Sequence, residues 1–245
     1  MLWYLWRKIV VVSVERGRGL TVDECVALCN APRKLPVNAS RFQLWKHLRD
    51  EILIRLTYGT FARISELLRV DVPDVDFKYC SIRIRHPKGK AIFKVVDGKR
   101  KHIETVSQER NVYFDDFSRD LLIRYLEGRK KGPLVVSSRG KRLSSREAER
   151  VVDCYARSVG IQKVIGHTKN GREIRLVTCK ALREAGERHT DVNGADRDAT
   201  ARIAGHTVRT KETYYKRGNF EEDRKIVRRH HPLMREEETT GWTGN

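Results

Sequence analysis

The apolar residues change their spacing along the chain, and this change predicts helices on both sides of a region of strands. From Leu44 to Leu56 an apolar residue recurs at every fourth position, which keeps one face of a helix apolar. Thr21 and Ser144 each stand three residues before a glutamate, the spacing of a capping box, and apolar residues follow both at helical intervals. Further helices are predicted at residues 62–68, 118–130, 178–193, 197–205 and 220–229.

Between residues 81 and 114 the apolar period falls to two. Residues 81–85 alternate apolar and basic side chains, as a half-buried strand does. Residues 91–96 are a second candidate strand, and the Asp97-Gly98 that follows is a strong hairpin turn. Shorter candidates lie at residues 103–106 and 112–114. We therefore predict a mixed, mostly helical α/β fold with one small antiparallel sheet, and a loop over the Gly- and Lys-rich residues 160–175.

The chain carries a large surplus of positive charge. Its 245 residues include 51 lysines and arginines against 32 acidic residues, a formal net charge of +19. Such a surplus on a folded chain is typical of proteins that bind a polyanion, most often nucleic acid; the alternative is that the charges are simply solvated. The basic residues predicted to contact a DNA backbone are Arg83, Arg85, Lys90, Lys99, Arg100 and Lys101.

Cysteine content and the N-terminal sequence argue against several classes of protein. The five cysteines are odd in number and include no C-x-x-C motif, which disfavours a disulfide framework or a zinc ribbon and favours a reducing cytoplasm. Arg7 and Lys8 interrupt the apolar N-terminus, and the remaining apolar run is too short to span a membrane. Residues 16–19, Arg-Gly-Arg-Gly, are typical of a linker, so residues 1–19 are interpreted as an arm.

The last third of the chain concentrates side chains that suit chemistry on a phosphodiester. Lys180 and Arg183 are three residues apart, His206 follows, and two adjacent tyrosines come last. When a phenol attacks a phosphodiester, negative charge accumulates on the non-bridging oxygens, and the rigid fork of an arginine can donate to two of them. Arg63 comes from a distant segment, so folding could clamp the phosphate from two sides.

The order and spacing of these residues resemble the tyrosine recombinases, the phage-integrase family. The stretch Y-G-T-F-A-R-I-S-E-L-L around Arg63 resembles the first arginine motif of that family, and residues 20–31 resemble the opening of its catalytic domain. The second block is similar too, with Lys180, Arg183, the N-G-A-D of residues 193–196, His206, and Tyr215 nine residues after it. The resemblance covers about residues 20–217.

The resemblance implies a nucleophile and a general acid. Tyr215 would attack DNA to form a 3′-phosphotyrosyl link and free a 5′-hydroxyl, and Tyr214 is the alternative tyrosine. Because the link stores the energy of the broken bond, no ATP, metal or other cofactor is expected. Lys88, on the predicted hairpin, would protonate the leaving oxygen, with Lys90 and Lys99 as alternatives.

The resemblance also assigns the remaining site residues. Lys180 and His206 would hydrogen-bond the phosphate or help to deprotonate the tyrosine. Glu66, three residues after Arg63, would orient a neighbouring catalytic side chain. His189 is expected to pack against or orient a neighbour rather than to react.

The sequence departs from the family pattern at three points. Lys180 stands where a histidine is usual, a variant similar to the integrases of archaeal viruses such as fuselloviruses. The helix after Arg183 is more charged than usual. The helical core-binding domain that normally precedes the catalytic domain is not found, since only about 19 residues stand before residue 20. We therefore expect an arm (1–19), a catalytic domain (20–217) and a tail (218–245) that packs on a neighbouring protomer.

These observations predict a DNA integrase or site-specific recombinase that serves a viral or mobile element in the host cytoplasm. The resemblance implies four protomers acting on two duplexes of double-stranded DNA, with no membrane and no small-molecule substrate. Three alternatives stay open: a type IB topoisomerase-like enzyme, a DNA-binding remnant or regulator without turnover, and a relaxase. The relaxase is disfavoured because the sequence has no histidine triad of the kind that binds its metal.

Overall fold

The computed structural model describes residues 19–35, 38–85, 87, 90–96, 99–106, 109–205 and 220–234, with the backbone alone at 90–96, 99–106 and 220–222. The helices are α1 (Val22–Asn30), α2 (Arg41–Gly59), α3 (Ile64–Leu67), α4 (Asp116–Leu126), α5 (Ser145–Ser158), α6 (Cys179–Val192), α7 (Arg197–Ala204) and α8 (Phe220–His230). Short 3-10 helices lie at Ala31–Arg33 and Val72–Asp74. Among the described residues, no helix has both the length and the apolar character that crossing a bilayer requires.

Within the described residues, seven strands form three separate antiparallel units. They are β1 (Val75–Asp76), β2 (Ser81–Ile84), β3 (Lys90–Val96), β4 (Lys99–Val106), β5 (Arg110–Tyr113), β6 (Val164–His167) and β7 (Glu173–Arg175). β1, β2 and β5 make a three-stranded sheet in that order, while β3–β4 and β6–β7 are two-stranded hairpins. The fold is therefore mostly helical with small antiparallel sheets, as the sequence predicts.

Helix starts follow the capping chemistry of the sequence. The Thr21 hydroxyl accepts from the backbone N–H of Glu24, and the Glu24 carboxylate accepts from the backbone N–H of Thr21. Ser144 and Glu147 make the same reciprocal pair at the start of α5. These bonds provide acceptors for backbone N–H groups that have no partner within the helix. The two predicted helix starts are confirmed.

Three expectations differ from the structure. Residues 160–175 are not simply a loop, because β6 and β7 form a hairpin within them. The predicted strands do not join into one sheet, since the β3–β4 hairpin is separate from β2 and β5. The second half of α2 is not amphipathic: every residue from Arg49 to Gly59 is buried. Local periodicity missed this burial because ion pairs such as Arg55–Glu51 compensate the buried charges.

Helix α2 is the centre of the core. Ile52, Leu53 and Leu56 are fully buried among apolar residues of α1, α4, α5 and α6. The approach of α6 to α2 is very close, because a Cβ atom on Gly186 would lie 2.1 Å from the carbonyl oxygen of Tyr58. A residue without a side chain at Gly186 therefore sets the spacing between the two helices.

The C-terminal helix α8 packs on its own chain, against α6, α7 and β5. Val227 and Met234 are buried in a second apolar cluster with Phe61, Tyr113 and Ile203. This cluster lies between the end of α2 and the end of α7. It thereby joins the segments that carry the residues of the site described next.

Candidate active site

The two predicted phosphate-binding arginines converge on the C-terminal end of α7. Nη2 of Arg183, on α6, donates to the carbonyl oxygen of Ala204 at 3.0 Å. Nη2 of Arg63, just before α3, donates to the carbonyl oxygen of Gly205 at 3.3 Å. Tertiary folding thus brings together two guanidinium groups that are 120 positions apart in the sequence.

The turn between α2 and α3 helps to fix both arginines. Phe61 has φ +56°, a left-handed conformation that is uncommon for a residue with a side chain. Its carbonyl oxygen accepts from Nε of Arg183 at 2.7 Å. The same Nε lies 2.9 Å from Oε1 of Glu187, one turn further along α6. Arg183 is consequently held from both sides and is only 8% exposed.

Glu66 connects Arg63 to an arginine that the sequence motifs do not mark, Arg110 on β5. The carboxylate of Glu66 accepts from the backbone N–H and from Nη1 of Arg63, both at 3.0 Å. It also accepts from Nη2 of Arg110 at 2.7 Å. Arg110 in turn donates through Nε to the carbonyl oxygen of Ile203 at 3.0 Å and through Nη2 to that of Ala204 at 3.2 Å.

We call Arg63, Glu66, Arg110 and Arg183 the arginine cluster. Burial alone would raise the pKa of Glu66, but the hydrogen bonds and charge of Arg110, together with the hydrogen bonds of Arg63, outweigh it and lower that pKa to about 2. Burial lowers the pKa of Arg183, and the positive charges of Arg63 and Arg110 act in the same direction. Glu66 thus stays ionised, and it offsets the repulsion between guanidinium groups that crowd at one point.

Lys180 and His189 lie outside the arginine cluster. The Lys180 side chain is 80% exposed, and its ammonium pairs with Glu184 at 3.4 Å. His189 is buried on α6; its Nε2 contacts the carbonyl oxygen of Leu20 at 3.0 Å, and its Nδ1 contacts the Tyr58 hydroxyl at 2.9 Å. His189 therefore ties α6 to α2 and to the start of the described chain.

A second buried histidine, which the sequence does not single out, supports the same region. His231, just after α8, is fully buried and lies against the rings of Tyr58 and Phe61. Its Nε2 is 3.3 Å from the carbonyl oxygen of Tyr58, and its Nδ1 accepts from the backbone N–H of Leu233. Burial lowers the pKa of His231 to about 3.

Two of the predicted DNA-contacting residues, Arg83 and Arg85, lie near the arginine cluster. Arg83 and Arg85 line a cavity of about 200 Å³ together with Glu66 and Arg69. Each already has an acidic partner: Arg83 pairs with Glu109 at 2.5 Å, and Arg85 pairs with Asp74. Lys90, Lys99, Arg100 and Lys101 lie on β3 and β4, where only the backbone is described.

Three of the residues predicted for catalysis, Lys88, His206 and Tyr215, lie outside the described residues, as does the alternative tyrosine, Tyr214. Across the described parts of the chain, no group of three or more His, Cys, Asp or Glu side chains is arranged to hold a metal ion. Sequence reasoning missed Arg110, since its partners are backbone carbonyls and a carboxylate from distant segments, which leave no local motif.

Comparison with known proteins agrees with this fold. The model of the phage integrase family matches residues 19–222. The chain is 27% identical over 241 residues to the tyrosine recombinase XerC of Thermodesulfovibrio yellowstonii, covering 95% of this chain and 69% of that protein. It is 26% identical over 230 residues to XerC of Roseiflexus castenholzii, covering 94% of this chain and 64% of that protein.

Two solved structures share the fold. The crystal structure of XerA recombinase matches with a TM-score of 0.57 at 22% identity, over 78% of this chain and 55% of that one. The pre-cleavage complex of XerH recombinase with its difH substrate matches with a TM-score of 0.53 at 16% identity, over 78% of this chain and 48% of that one. The chain thus spans about half of these solved chains, and between 49% and 69% of the first curated relatives. Since the family model matches far more than half of its residues, the chain belongs to the phage integrase family.

Proposed function

We propose that the protein is a site-specific DNA recombinase that cleaves and rejoins DNA strands through a covalent 3′-phosphotyrosyl intermediate. The observation that carries this proposal is the convergence of Arg63 and Arg183 at the end of α7. The residue that follows this end is His206, and Tyr215 stands nine residues later. A clamp of two cations thus adjoins the segment that would supply the nucleophile.

Each group in the proposed reaction has a separate chemical task. Arg63 and Arg183 would neutralise the charge that develops on the non-bridging oxygens when Tyr215 attacks. Lys88 would protonate the leaving 5′-oxygen, with Lys90 and Lys99 as alternatives. His206 and the exposed Lys180 would hydrogen-bond the phosphate or take the phenolic proton. Glu66 would keep Arg63 in place, and His189 would support the position of α6.

Entry of a phosphate would require Arg63 and Arg183 to release the carbonyl oxygens at the end of α7. The carbonyl oxygens of Ala204 and Gly205 accept hydrogen bonds from Arg183 and Arg63, so they compete with a phosphate for the same donors. A phosphate oxygen accepts a stronger, charge-assisted bond than a neutral carbonyl does. We therefore propose that a DNA phosphate takes the Nη2 donors of Arg63 and Arg183 from these carbonyls, while the end of α7 keeps its bonds to Arg110.

The biological setting is also part of this proposal. The lysine at position 180, in place of the usual histidine, supports integration or excision of a viral or mobile element in the cytoplasm of its host. We further propose residues 1–19 as an arm, 20–217 as the catalytic domain and 218–245 as a tail. On DNA we expect a tetramer that holds two duplexes.

The first test is formation of a covalent adduct in the presence of EDTA. A pool of nicked, end-labelled duplexes with a randomised core is incubated with the protein, and DNA that stays attached in denaturant is recovered and sequenced. Tyr215→Phe should abolish the adduct, and Tyr214→Phe, the matched control, should keep it. An adduct that survives Tyr215→Phe but not Tyr214→Phe would move the nucleophile by one residue.

The recovered sequence then separates the alternatives. Exchange of strands between two duplexes that carry this sequence supports a recombinase. Relaxation of a supercoiled plasmid without exchange would instead support a type IB topoisomerase-like enzyme. Salt-sensitive DNA binding with no adduct from any duplex would leave a DNA-binding regulator.

A further inference from the structure

Arg110 makes several hydrogen bonds to distant segments, whereas an arginine on a solvent-facing strand is hydrated by water. Its guanidinium binds one carboxylate, that of Glu66, and two backbone carbonyl oxygens at the end of α7, those of Ile203 and Ala204. Its side chain is nearly buried. β5 enters the same sheet as β2, so the base of Arg110 is fixed by strand pairing, with Ile84 as its partner in register. Arg110 therefore joins a rigid sheet to the last turn of a short helix.

We propose that Arg110 is a positioning residue that holds the end of α7 against Glu66 and so fixes the origin of the segment that carries His206 and Tyr215. This inference rests on the proposed function, because it assigns Arg110 a part in the same reaction. Arg110 is not proposed to touch the phosphate. It acts through the backbone of residues 203–205 and through the carboxylate that also holds Arg63.

The contacts at Gly205 support this role. Gly205 ends α7 in a left-handed conformation with φ +71°, which glycine adopts without strain. The space beside it is filled by Arg110, since a Cβ atom on Gly205 would lie 2.7 Å from Cζ of that arginine. A cation at this end also interacts favourably with the negative end of the helix dipole. Arg110 thus packs on the residue directly before His206.

Loss of Arg110 should therefore impair the positioning of the segment that carries His206 and Tyr215. Ile203 and Ala204 would each lose a donor, and Glu66 would lose its 2.7 Å bond from Nη2 of Arg110 while staying buried. The last turn of α7 would then fray more readily, because the last carbonyls of a helix have no partner within it and depend on outside donors such as Arg110. Since His206 is bonded directly to Gly205, a shift of this turn passes into it without an intervening linker.

The test compares Arg110→Ala with Arg142→Ala. Arg142 is a matched control because its guanidinium also binds two backbone carbonyl oxygens, those of Leu68 and Val70, and one carboxylate, that of Asp71. It makes no contact with α7 among these bonds. Arg110→Lys is the second variant if the alanine protein does not fold, since lysine keeps the charge but carries its donors on one nitrogen instead of on the wide, planar fork of a guanidinium.

Two measurements are made on each protein. Hydrogen–deuterium exchange without DNA should be faster at residues 199–205 in the Arg110 variants and unchanged there in Arg142→Ala. On the selected DNA, the single-turnover rate of adduct formation at saturating DNA should fall by about tenfold to a hundredfold in the Arg110 variants. The DNA concentration at half-maximal rate should stay the same, and Arg142→Ala should keep the wild-type rate.

The outcomes separate this inference from the proposed function. If wild-type protein forms no adduct, the proposed function fails, and the exchange measurement alone still decides whether Arg110 positions α7. If exchange at residues 199–205 is unchanged in the Arg110 variants, the inference is overturned whatever the activity. An Arg110 variant with a wild-type rate, or a control with the same loss of rate, would also overturn it.

Discussion

Substitution at the close contact between Gly186 and Tyr58 tests what sets the distance between Arg63 and Arg183. Gly186 lies on α6 one turn after Arg183, and Tyr58 lies near the end of α2, shortly before Arg63. In Gly186→Ala the new Cβ atom would stand 2.1 Å from the carbonyl oxygen of Tyr58. Because the obstacle is backbone rather than a flexible side chain, the helices themselves must move apart.

The size of the effect follows from two opposing terms. Normal contact begins at 3.4 Å, so the helices must separate by roughly 1 Å in a core that is packed like a crystal. Overpacking of this kind costs up to about 3 kcal/mol, whereas alanine favours a helix over glycine by about 1 kcal/mol. The net loss in the free energy of unfolding is about 2 kcal/mol, or about 4–8 °C in Tm for a chain of this size.

Thermal and urea unfolding followed by circular dichroism measure this loss. Gly59→Ala is the matched control, because a Cβ atom at that helical glycine meets only ordinary contacts, the nearest at 3.5 Å from Cε of Met234. Its stability should not fall and should rise by up to about 1 kcal/mol, because alanine favours a helix over glycine and no close contact opposes it. Adduct formation by Gly186→Ala should also slow, because a 1 Å misplacement of reacting groups can cost about a hundredfold. A Gly186→Ala protein as stable as wild type would refute the steric reasoning.

Three further predictions concern the charged groups. Arg63→Ala and Arg183→Ala should each slow adduct formation by about 10²–10³-fold, and only Arg183→Ala, which removes a buried cation, should also lower Tm markedly; equal effects on Tm would contradict the difference in their burial. The pKa of His231 is about 3 in the folded protein against 6.5 unfolded, so the unfolded chain takes up the proton first and stability falls as pH drops below 6.5. Urea titrations between pH 6.5 and 5 should show the free energy of unfolding falling by up to about 1.4 kcal/mol per pH unit through His231. In His231→Phe this contribution to the pH dependence should be lost. An identical pH dependence in both proteins would contradict the prediction. The logarithm of the affinity for duplex DNA, measured by fluorescence anisotropy, should fall linearly with the logarithm of the salt concentration, with a slope of about −0.9 per phosphate contacted. Binding that does not depend on salt would exclude an interface made to phosphates.

Local sequence features were enough to predict most of the helices. The capping boxes at Thr21 and Ser144 lie within four residues of chain, so the sequence alone predicts where α1 and α5 begin. The helices α6 and α7 were predicted from their periodicity and from the glycine between them. The β6–β7 hairpin was not predicted, because its strands are short and half exposed and carry no apolar alternation.

The sequence by itself determined the chemical inventory of this protein: its basic charge, the motif spacing of Arg63 and Arg183, and the family to which they point. Tertiary structure alone decided that these arginines meet at the carbonyl oxygens that end α7. It also decided that Arg110 joins them and that Gly186 sets the distance between α6 and α2. The physical reason is that a backbone carbonyl is the same in every residue. The sequence therefore cannot show which carbonyl a side chain will bond, and only the folded structure identifies the two partners.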